Sequence, residues 1–203
     1  MVSERKDIGV DEKGALRKRL LDIRRAIAPA DYDRKCARIR QTLLSLPEVR
    51  DAPTVLTYVS SRDNEVDTQE VIRHLLDAGR AVLVPVTRPE RRLIWCPITS
   101  LGDLSPGRFG ILEPSPERRQ PVAPPTDAPV LVPGIAFTPD GYRIGYGAGY
   151  FDRFLACHVG VKVGLAFECQ IVDAFPRMAH DIAMDLIATE HRLIRPRTTP
   201  IAP

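Results

Sequence analysis

The chain has 203 residues, of which 44% are hydrophobic and 27% are charged, and both values are ordinary for a globular protein. Its 29 Lys and Arg and 26 Asp and Glu leave a formal net charge of only +3, which is too mild to indicate a nucleic-acid-binding protein. No apolar run approaches the roughly 18 residues of a membrane-spanning helix, so we expect no membrane association either.

The cysteines and the polar start of the chain favour a cytoplasmic protein. Cys36, Cys96, Cys157 and Cys169 are widely spaced and form no C-x-x-C pair. The amino-terminal residues are polar and charged, unlike a secretory signal. We therefore expect reduced thiols and a cytoplasmic location.

The amino-terminal region predicts a disordered tail over residues 1–10 and an amphipathic helix over residues 11–28. Four apolar residues recur along this helix at intervals of four and three: Leu16, Leu20, Ile23 and Ile27. The other faces of the helix are basic, and Lys18 and Arg24 in particular fit an ordinary solvated surface. Pro29 ends the helix, and a second helix is predicted to about Leu46.

Strands and helices alternate in the rest of the chain. Short apolar runs predict strands at residues 54–59, 81–86, 93–98, 130–132, 161–167 and 184–188. Asp67 and Glu70 resemble a capping box that opens a helix, and another helix is predicted over residues 149–157. The alternation predicts a single three-layer α/β/α domain over residues 11–197, with a Rossmann-like parallel or mixed sheet and a cleft at the carboxyl ends of its strands.

Residues 114–129 contain six prolines. A segment with so few amide donors predicts a surface loop rather than regular structure. A linker between two domains is the alternative, although the second half of the chain alone would have a poor core.

Residues 143–149 form the most informative segment, a loop in which glycine alternates with other residues after an arginine. Backbone N–H groups of such a loop can close on an anion. Tyr150, Phe151 and Asp152 add aromatic surface and a carboxylate suited to Mg²⁺. By itself the pattern is more typical of a tight turn, and it matches neither the Rossmann nor the Walker motif. The whole segment nevertheless indicates a nucleotide site.

The string R-I-G-Y-G-A-G-Y-F-D-R at residues 143–153, preceded by V-P-G-I-A-F, resembles the signature of the 5-formyltetrahydrofolate cyclo-ligase family. Further segments resemble other parts of that family in the right order: K-G-A-L-R at 13–17, Y-V-S with N-E-V-D-T at 58–68, F-G-I-L-E-P at 109–114 and H-D at 180–181. These segments cover nearly the whole chain. From these residues the chain is identified as a member of the family.

The resemblance implies ATP-dependent conversion of 5-formyltetrahydrofolate to 5,10-methenyltetrahydrofolate, with Mg²⁺ as the cofactor and ADP and phosphate as products. It implies ATP-binding residues Lys13, Arg17, Arg143, Ile144, Gly145, Tyr146, Gly147, Ala148, Gly149, Tyr150 and Phe151. It implies folate-binding residues Val59, Glu65, Tyr146, Gly147, Ala148, Gly149 and Tyr150. Asp152 and Asp181 are the implied metal ligands, and Arg143, Tyr150 and Asp152 the implied catalytic residues. We expect a monomer.

Some departures from the family pattern are present, but none removes a residue that the chemistry demands. Ala148 stands where relatives often carry glycine or lysine, and Phe151 replaces the commoner tyrosine. The main alternative function is a paralogue that keeps the nucleotide site but has another substrate or a regulatory role. A nucleic-acid-binding module is disfavoured because only 6% of the residues are aromatic, and a serine hydrolase because the chain has no G-x-S-x-G motif.

Overall fold

The computed structural model describes residues 4–107, 110–178 and 180–196, with side chains from Glu12 onward. Its helices are α1 (Glu4–Arg25), α2 (Pro29–Ser45), α3 (Pro47–Arg50), α4 (Gln69–Asp77) and α5 (Tyr150–Leu155). Its strands are β1 (Thr54–Thr57), β2 (Ala81–Arg88), β3 (Arg92–Ile98), β4 (Leu104–Pro106), β5 (Leu112–Pro114), β6 (Val130–Pro133), β7 (Ala136–Phe137), β8 (Arg143–Ile144), β9 (Lys162–Leu165), β10 (Leu186–Ala188) and β11 (Leu193–Ile194). No helix within the described ranges has the length and apolar character needed to cross a membrane.

Seven strands form one mixed sheet in the order β11-β10-β9-β6-β1-β2-β3. The four inner contacts, from β10 to β2, are parallel, whereas the edge strands β3 and β11 are antiparallel to their neighbours. The predicted α/β fold with a parallel or mixed sheet is confirmed. The hairpins β4–β5 and β7–β8 lie outside this sheet, and their strands are too short to be predicted from periodicity.

Alternate residues of the sheet strands belong to two hydrophobic clusters, one on each face. In β1, Val55 packs in the cluster that contains α2, α3 and α4, whereas Leu56 packs in the cluster that contains Leu155 of α5. Leu131 and Val130 of β6 divide between the two clusters in the same way. Helices therefore cover both faces of the sheet, as the three-layer prediction requires.

The proline-rich segment 114–129 connects β5 to β6. Strand β1 precedes this segment and β6 follows it, yet the two pair directly in the same sheet. Val55 and Leu131, one from each side of the segment, share one buried cluster. The sheet thus gives no support to a linker between separate cores. The domain limits at residues 11 and 197 stay a prediction, since residue 197 lies outside the described residues.

Helix α1 corrects the expectations for the amino-terminal region. It begins at Glu4, so residues 4–10 are helical rather than a disordered tail, while residues 1–3 lie outside the described residues. Ile23 of the predicted apolar stripe is 43% exposed, whereas Arg24, predicted to be solvated, is only 2% exposed. The buried face of the helix is therefore turned toward Leu20 and Arg24.

Helix α4 begins without the predicted capping box. Its N-cap residue is Thr68, and the Asp67 carboxylate instead accepts a hydrogen bond from the Gln69 N–H at 2.9 Å. The Thr68 hydroxyl donates to the carbonyl of Tyr58 at 2.8 Å. This bond joins the two ends of the loop between β1 and α4, which carries Glu65.

Candidate functional site

A cleft of about 760 Å³ opens at the carboxyl ends of the central strands. Tyr58 and Val59, which follow β1, and Pro133 at the end of β6 form part of its wall. From β1 the chain continues to β2 on one side of the sheet, while β6 lies on the other. Such a switch point is where α/β proteins bind their ligands, and the volume is typical of small-molecule sites.

Every site residue named from the sequence lies around this one cleft. They are Lys13, Arg17, Val59, Glu65, Arg143, Ile144, Gly145, Tyr146, Gly147, Ala148, Gly149, Tyr150, Phe151, Asp152 and Asp181. They come from α1, the β1–α4 loop, β8, the glycine loop, α5 and the segment before β10. Shared location does not test the individual roles, which stay predictions.

The glycine loop depends on glycine at two positions. Gly147 has φ 101° and Gly149 has φ 73°, values that residues with a β-carbon rarely adopt. Among the described residues, the non-glycine residues with positive φ do not include Ala148, so its β-carbon is tolerated there. Helix α5, which begins at Tyr150, has six residues, and the predicted helix was therefore too long at both ends.

One face of α1 supplies basic side chains to the cleft. Lys13, Arg17, Leu20 and Arg24 follow one another at spacings of four, three and four, which places them on one side of a helix. The Arg17 Nε donates to the carbonyl oxygen of Gly145 at 2.9 Å. Arg17 therefore fixes the glycine loop to α1 and is not an ordinary solvated side chain.

Two ion pairs bring the predicted metal ligands next to cations. Lys13 Nζ lies 2.7 Å from Asp181 Oδ2, and Arg143 Nη2 lies 2.9 Å from Asp152 Oδ1. Arg143 is only 5% exposed. Burial lowers the pKa of its guanidinium below the ordinary value, while Asp152 and Asp181 oppose that change. The two carboxylates thus stabilise a buried positive charge beneath the glycine loop.

The two carboxylates are suited to Mg²⁺ with a bound nucleotide rather than to a metal held by protein alone. The described residues contain no cluster of three or more His, Cys, Asp or Glu side chains that could enclose an ion. Mg²⁺ commonly uses one or two carboxylates and completes its shell with phosphate oxygens and water. Asp152 Oδ1 and Asp181 Oδ2 take part in the ion pairs, which leaves the other oxygen of each carboxylate for a metal.

Glu65 is a buried carboxylate in the wall of the cleft, 8% exposed. Its Oε2 accepts a hydrogen bond from the Ser61 N–H at 3.3 Å. Burial raises the pKa of Glu65 above its ordinary value of 4.5, and the nearby cations Arg24 and Arg62 oppose the rise. A largely desolvated acceptor of this kind binds strongly to a ligand that offers matching N–H donors.

Tyr146 lies between two arginines beside Glu65. The Arg24 Nη2 donates to its hydroxyl at 2.6 Å, and the guanidinium carbon of Arg62 lies 4.1 Å from the centre of its ring. Burial raises the pKa of Tyr146 to about 12. Its hydroxyl therefore stays protonated at neutral pH and donates to Asp63 Oδ2 at 3.3 Å.

Sequence analysis missed four arginines that line or support the cleft. Arg62 follows β1, Arg91 belongs to the turn between β2 and β3, and Arg153 belongs to α5; all three line the cleft. Arg24 supports it from α1, and its spacing from Lys13 and Arg17 was the available signal. Nothing in the sequence indicated that Arg91 lies at the cleft, because its approach to Gly149 depends on the turn at Pro89–Arg91.

Known proteins resemble this chain along most of its length. The sequence profile of the 5-formyltetrahydrofolate cyclo-ligase family matches residues 10–190. The Escherichia coli K12 5-formyltetrahydrofolate cyclo-ligase is 32% identical over 176 residues, covering 84% of this chain and 96% of that protein. The Saccharomyces cerevisiae 5-formyltetrahydrofolate cyclo-ligase is 34% identical over 193 residues, covering 81% and 90%. The NMR structure of Aquifex aeolicus 5,10-methenyltetrahydrofolate synthetase is similar with a TM-score of 0.80 and 33% identity, covering 91% of this chain and 93% of that one.

Proposed function

Because the chain belongs to the 5-formyltetrahydrofolate cyclo-ligase family and is a ligase of that kind, we propose that it uses ATP to convert 5-formyltetrahydrofolate to 5,10-methenyltetrahydrofolate. The observation that carries the proposal is the composition of the cleft. The cleft contains basic side chains and a glycine loop, which suit phosphate. It also contains a buried carboxylate and aromatic surface, which suit a flat ring that carries N–H donors.

The chemical difficulty is that the oxygen of the formyl group is a poor leaving group. In the proposed reaction this oxygen attacks the γ-phosphorus of ATP, which forms an O–P bond, breaks the bond to the β-phosphate and releases ADP. The folate nitrogen-10 then attacks the formyl carbon and loses its proton. The C–O bond breaks, and phosphate leaves with the bonding electrons. The protein has to align the two substrates and stabilise negative charge on phosphoryl oxygens.

Lys13, Arg17 and Arg143, here named the cation group, support the ATP half of the proposal. Arg143 is buried, while Lys13 is paired with Asp181 and can exchange this partner for a phosphate. The glycine loop adjoins the cation group through the bond between Arg17 and Gly145. Fixed cations of this kind lower the energy of charge that develops during phosphoryl transfer.

Tyr58, Val59, Glu65 and Tyr146, here named the folate group, support the folate half. Glu65 offers a buried acceptor to the N–H donors of a pterin ring, and Val59 offers apolar contact. Tyr146 links the two groups, since it belongs to the glycine loop and lies beside Glu65.

Asp152 and Asp181 would hold Mg²⁺ together with ATP phosphates. When bound, the metal supplies positive charge to the phosphoryl oxygens.

We further propose that the protein is a cytoplasmic monomer that binds neither nucleic acid nor membranes. All four cysteines are free, which is compatible with a reducing compartment.

The proposal is tested by incubating the protein with 5-formyltetrahydrofolate, ATP and Mg²⁺ and recording the long-wavelength absorbance of the methenyl product. We expect product only when all three are present, with one ADP formed per product. If the protein is instead a paralogue with another substrate, we expect it to bind the nucleotide without forming the methenyl product.

Lys13→Ala should raise the KM for ATP by about ten- to 150-fold, since a lost charge-assisted hydrogen bond costs about 1.5–3 kcal/mol. The Lys13 side chain is only 14% exposed and paired, so we expect a stability loss of about 1 kcal/mol rather than none. Arg17→Ala should act in the same direction. Lys18→Ala, an exposed change on the same helix, is the matched control. Equal KM values for the Lys13 and Lys18 variants would exclude Lys13 from the ATP site.

A further inference from the structure

Arg24 is a charged side chain enclosed by the protein next to the cleft. It is 2% exposed, although it belongs to a helix whose neighbouring residues Ile23 and Arg25 face solvent. Enclosing a guanidinium is costly unless its donors are satisfied. The chain therefore keeps a charge where an apolar residue would pack at lower cost, which points to a role besides packing.

Its guanidinium joins three segments, two of which carry residues of the folate group. Nε donates to the carbonyl of Asp63 at 2.7 Å, Nη1 to the carbonyl of Gly134 at 3.1 Å, and Nη2 to the hydroxyl of Tyr146 at 2.6 Å. Asp63 lies in the loop that carries Glu65, and Gly134 follows β6. The three acceptors come from parts of the chain that are far apart in sequence and meet at this one side chain.

The loop that carries Glu65 requires such support. Asp63 and Asn64 have φ values of 54° and 50°, a backbone conformation that costs about 1 kcal/mol or more for residues other than glycine. The Asn64 side chain donates to the carbonyls of Arg24, Arg25 and Ile27 at the end of α1. Helix α1 thus holds the strained turn from both sides, through Arg24 and through Asn64.

We propose that Arg24 is a positioning residue for the folate half of the cleft, where it fixes the Tyr146 hydroxyl and the Glu65 loop in the arrangement that binds 5-formyltetrahydrofolate. This inference rests on the proposed function, because it assigns the folate to Glu65 and Tyr146. Arg24 does not line the cleft, so it acts on the substrate only through these neighbours. Lysine cannot replace it, since a single ammonium group cannot reach three acceptors in a fixed fork.

The test measures binding of 5-formyltetrahydrofolate and of a non-hydrolysable ATP analogue by calorimetry. The variants are Arg24→Lys, Tyr146→Phe and the two combined, with Arg19→Lys as the matched control because Arg19 is exposed on the same helix. We expect Arg24→Lys to weaken folate binding about tenfold or more and to change ATP-analogue binding by less than about twofold. Tyr146→Phe should weaken folate binding as well, and Arg19→Lys should change neither ligand.

The double variant separates positioning from general support of the fold. If Arg24 acts through the Tyr146 hydroxyl, Arg24→Lys weakens folate binding much less in the Tyr146→Phe background than in the wild type. If Arg24→Lys weakens folate binding by the same factor in both backgrounds, the proposal is overturned. It is also overturned if Arg24→Lys weakens binding of the folate and of the ATP analogue equally. Should Arg24→Lys fail to fold, unchanged folate binding by Tyr146→Phe would overturn it too. Absence of folate binding by the wild-type protein would overturn the proposed function and this inference with it.

Discussion

Asp152→Asn should lower kcat/KM for magnesium ATP by about 100-fold or more, the scale seen when a group that stabilises transition-state charge is removed. Asparagine keeps the shape of the side chain but loses the charge that would attract Mg²⁺. It also removes the counter-charge of the buried Arg143, whose Nη2 lies 2.9 Å from Asp152. The Asp152 side chain is 28% exposed, so we expect a stability loss of about 1–2 kcal/mol, below the cost of breaking a fully buried pair.

Asp185→Asn provides the matched control for this variant. Asp185 is a half-exposed carboxylate paired with Lys162 at 3.4 Å, and it does not line the cleft. Its loss should leave kcat/KM within about twofold of the wild type. Steady-state rates measured across a Mg²⁺ titration check both variants. If Asp152→Asn turns over like the wild type at limiting Mg²⁺, Asp152 is not a metal ligand.

Glu65→Gln should weaken binding of 5-formyltetrahydrofolate about five- to 150-fold and leave binding of an ATP analogue almost unchanged. Glutamine keeps the size but replaces one acceptor oxygen with a donor, facing a ring edge that offers donors. A mispaired polar group in a desolvated site costs about 1–3 kcal/mol. Calorimetric titration with each ligand separates the two effects. Equal weakening of both ligands would mean that Glu65 supports the cleft as a whole, and intact folate binding would remove it from the site.

The same substitution should raise the thermal stability of the empty protein at neutral pH. Burial raises the pKa of Glu65 above 4.5, so the folded state favours the protonated form, and ionisation destabilises the fold as pH rises through the folded-state pKa. Glutamine resembles the protonated form and avoids this loss. The difference in stability between variant and wild type should shrink below pH 4.5, where the carboxyl is protonated in both folded and unfolded states. A variant that is less stable at neutral pH would contradict this account.

Much of the fold could be predicted because its signals are local. The six predicted sheet strands reflect apolar runs, and each is found within a few residues of its predicted limits. The omitted strands β4, β5, β7, β8 and β11 have two or three residues each and carry too little periodicity to be recognised. The position of the glycine loop followed from its sequence, whereas the tolerance of Ala148 depends on a backbone angle that only the structure gives.

The contacts of the site could not be predicted, because they join residues that are far apart in the chain. Asp181 pairs with Lys13, and Arg24 bonds to Gly134 and Tyr146. Periodicity assigned Arg24 to solvent because it treats a basic residue as polar and does not register an acceptor more than a hundred residues away. The burial predicted from the amphipathic pattern of α1 is therefore wrong at Arg24, where the helix contributes to the cleft and not to the hydrophobic core.

The most direct test of the proposed reaction follows the formyl oxygen. If the γ-phosphoryl group is transferred to this oxygen and leaves with it, 5-formyltetrahydrofolate labelled there with a heavy oxygen isotope should yield labelled phosphate. Mass spectrometry of the phosphate released during ATP-dependent formation of the methenyl product measures this transfer. We predict one labelled oxygen in each phosphate released. Methenyl product accompanied by unlabelled phosphate would show that the formyl oxygen is not phosphorylated and would contradict the mechanism.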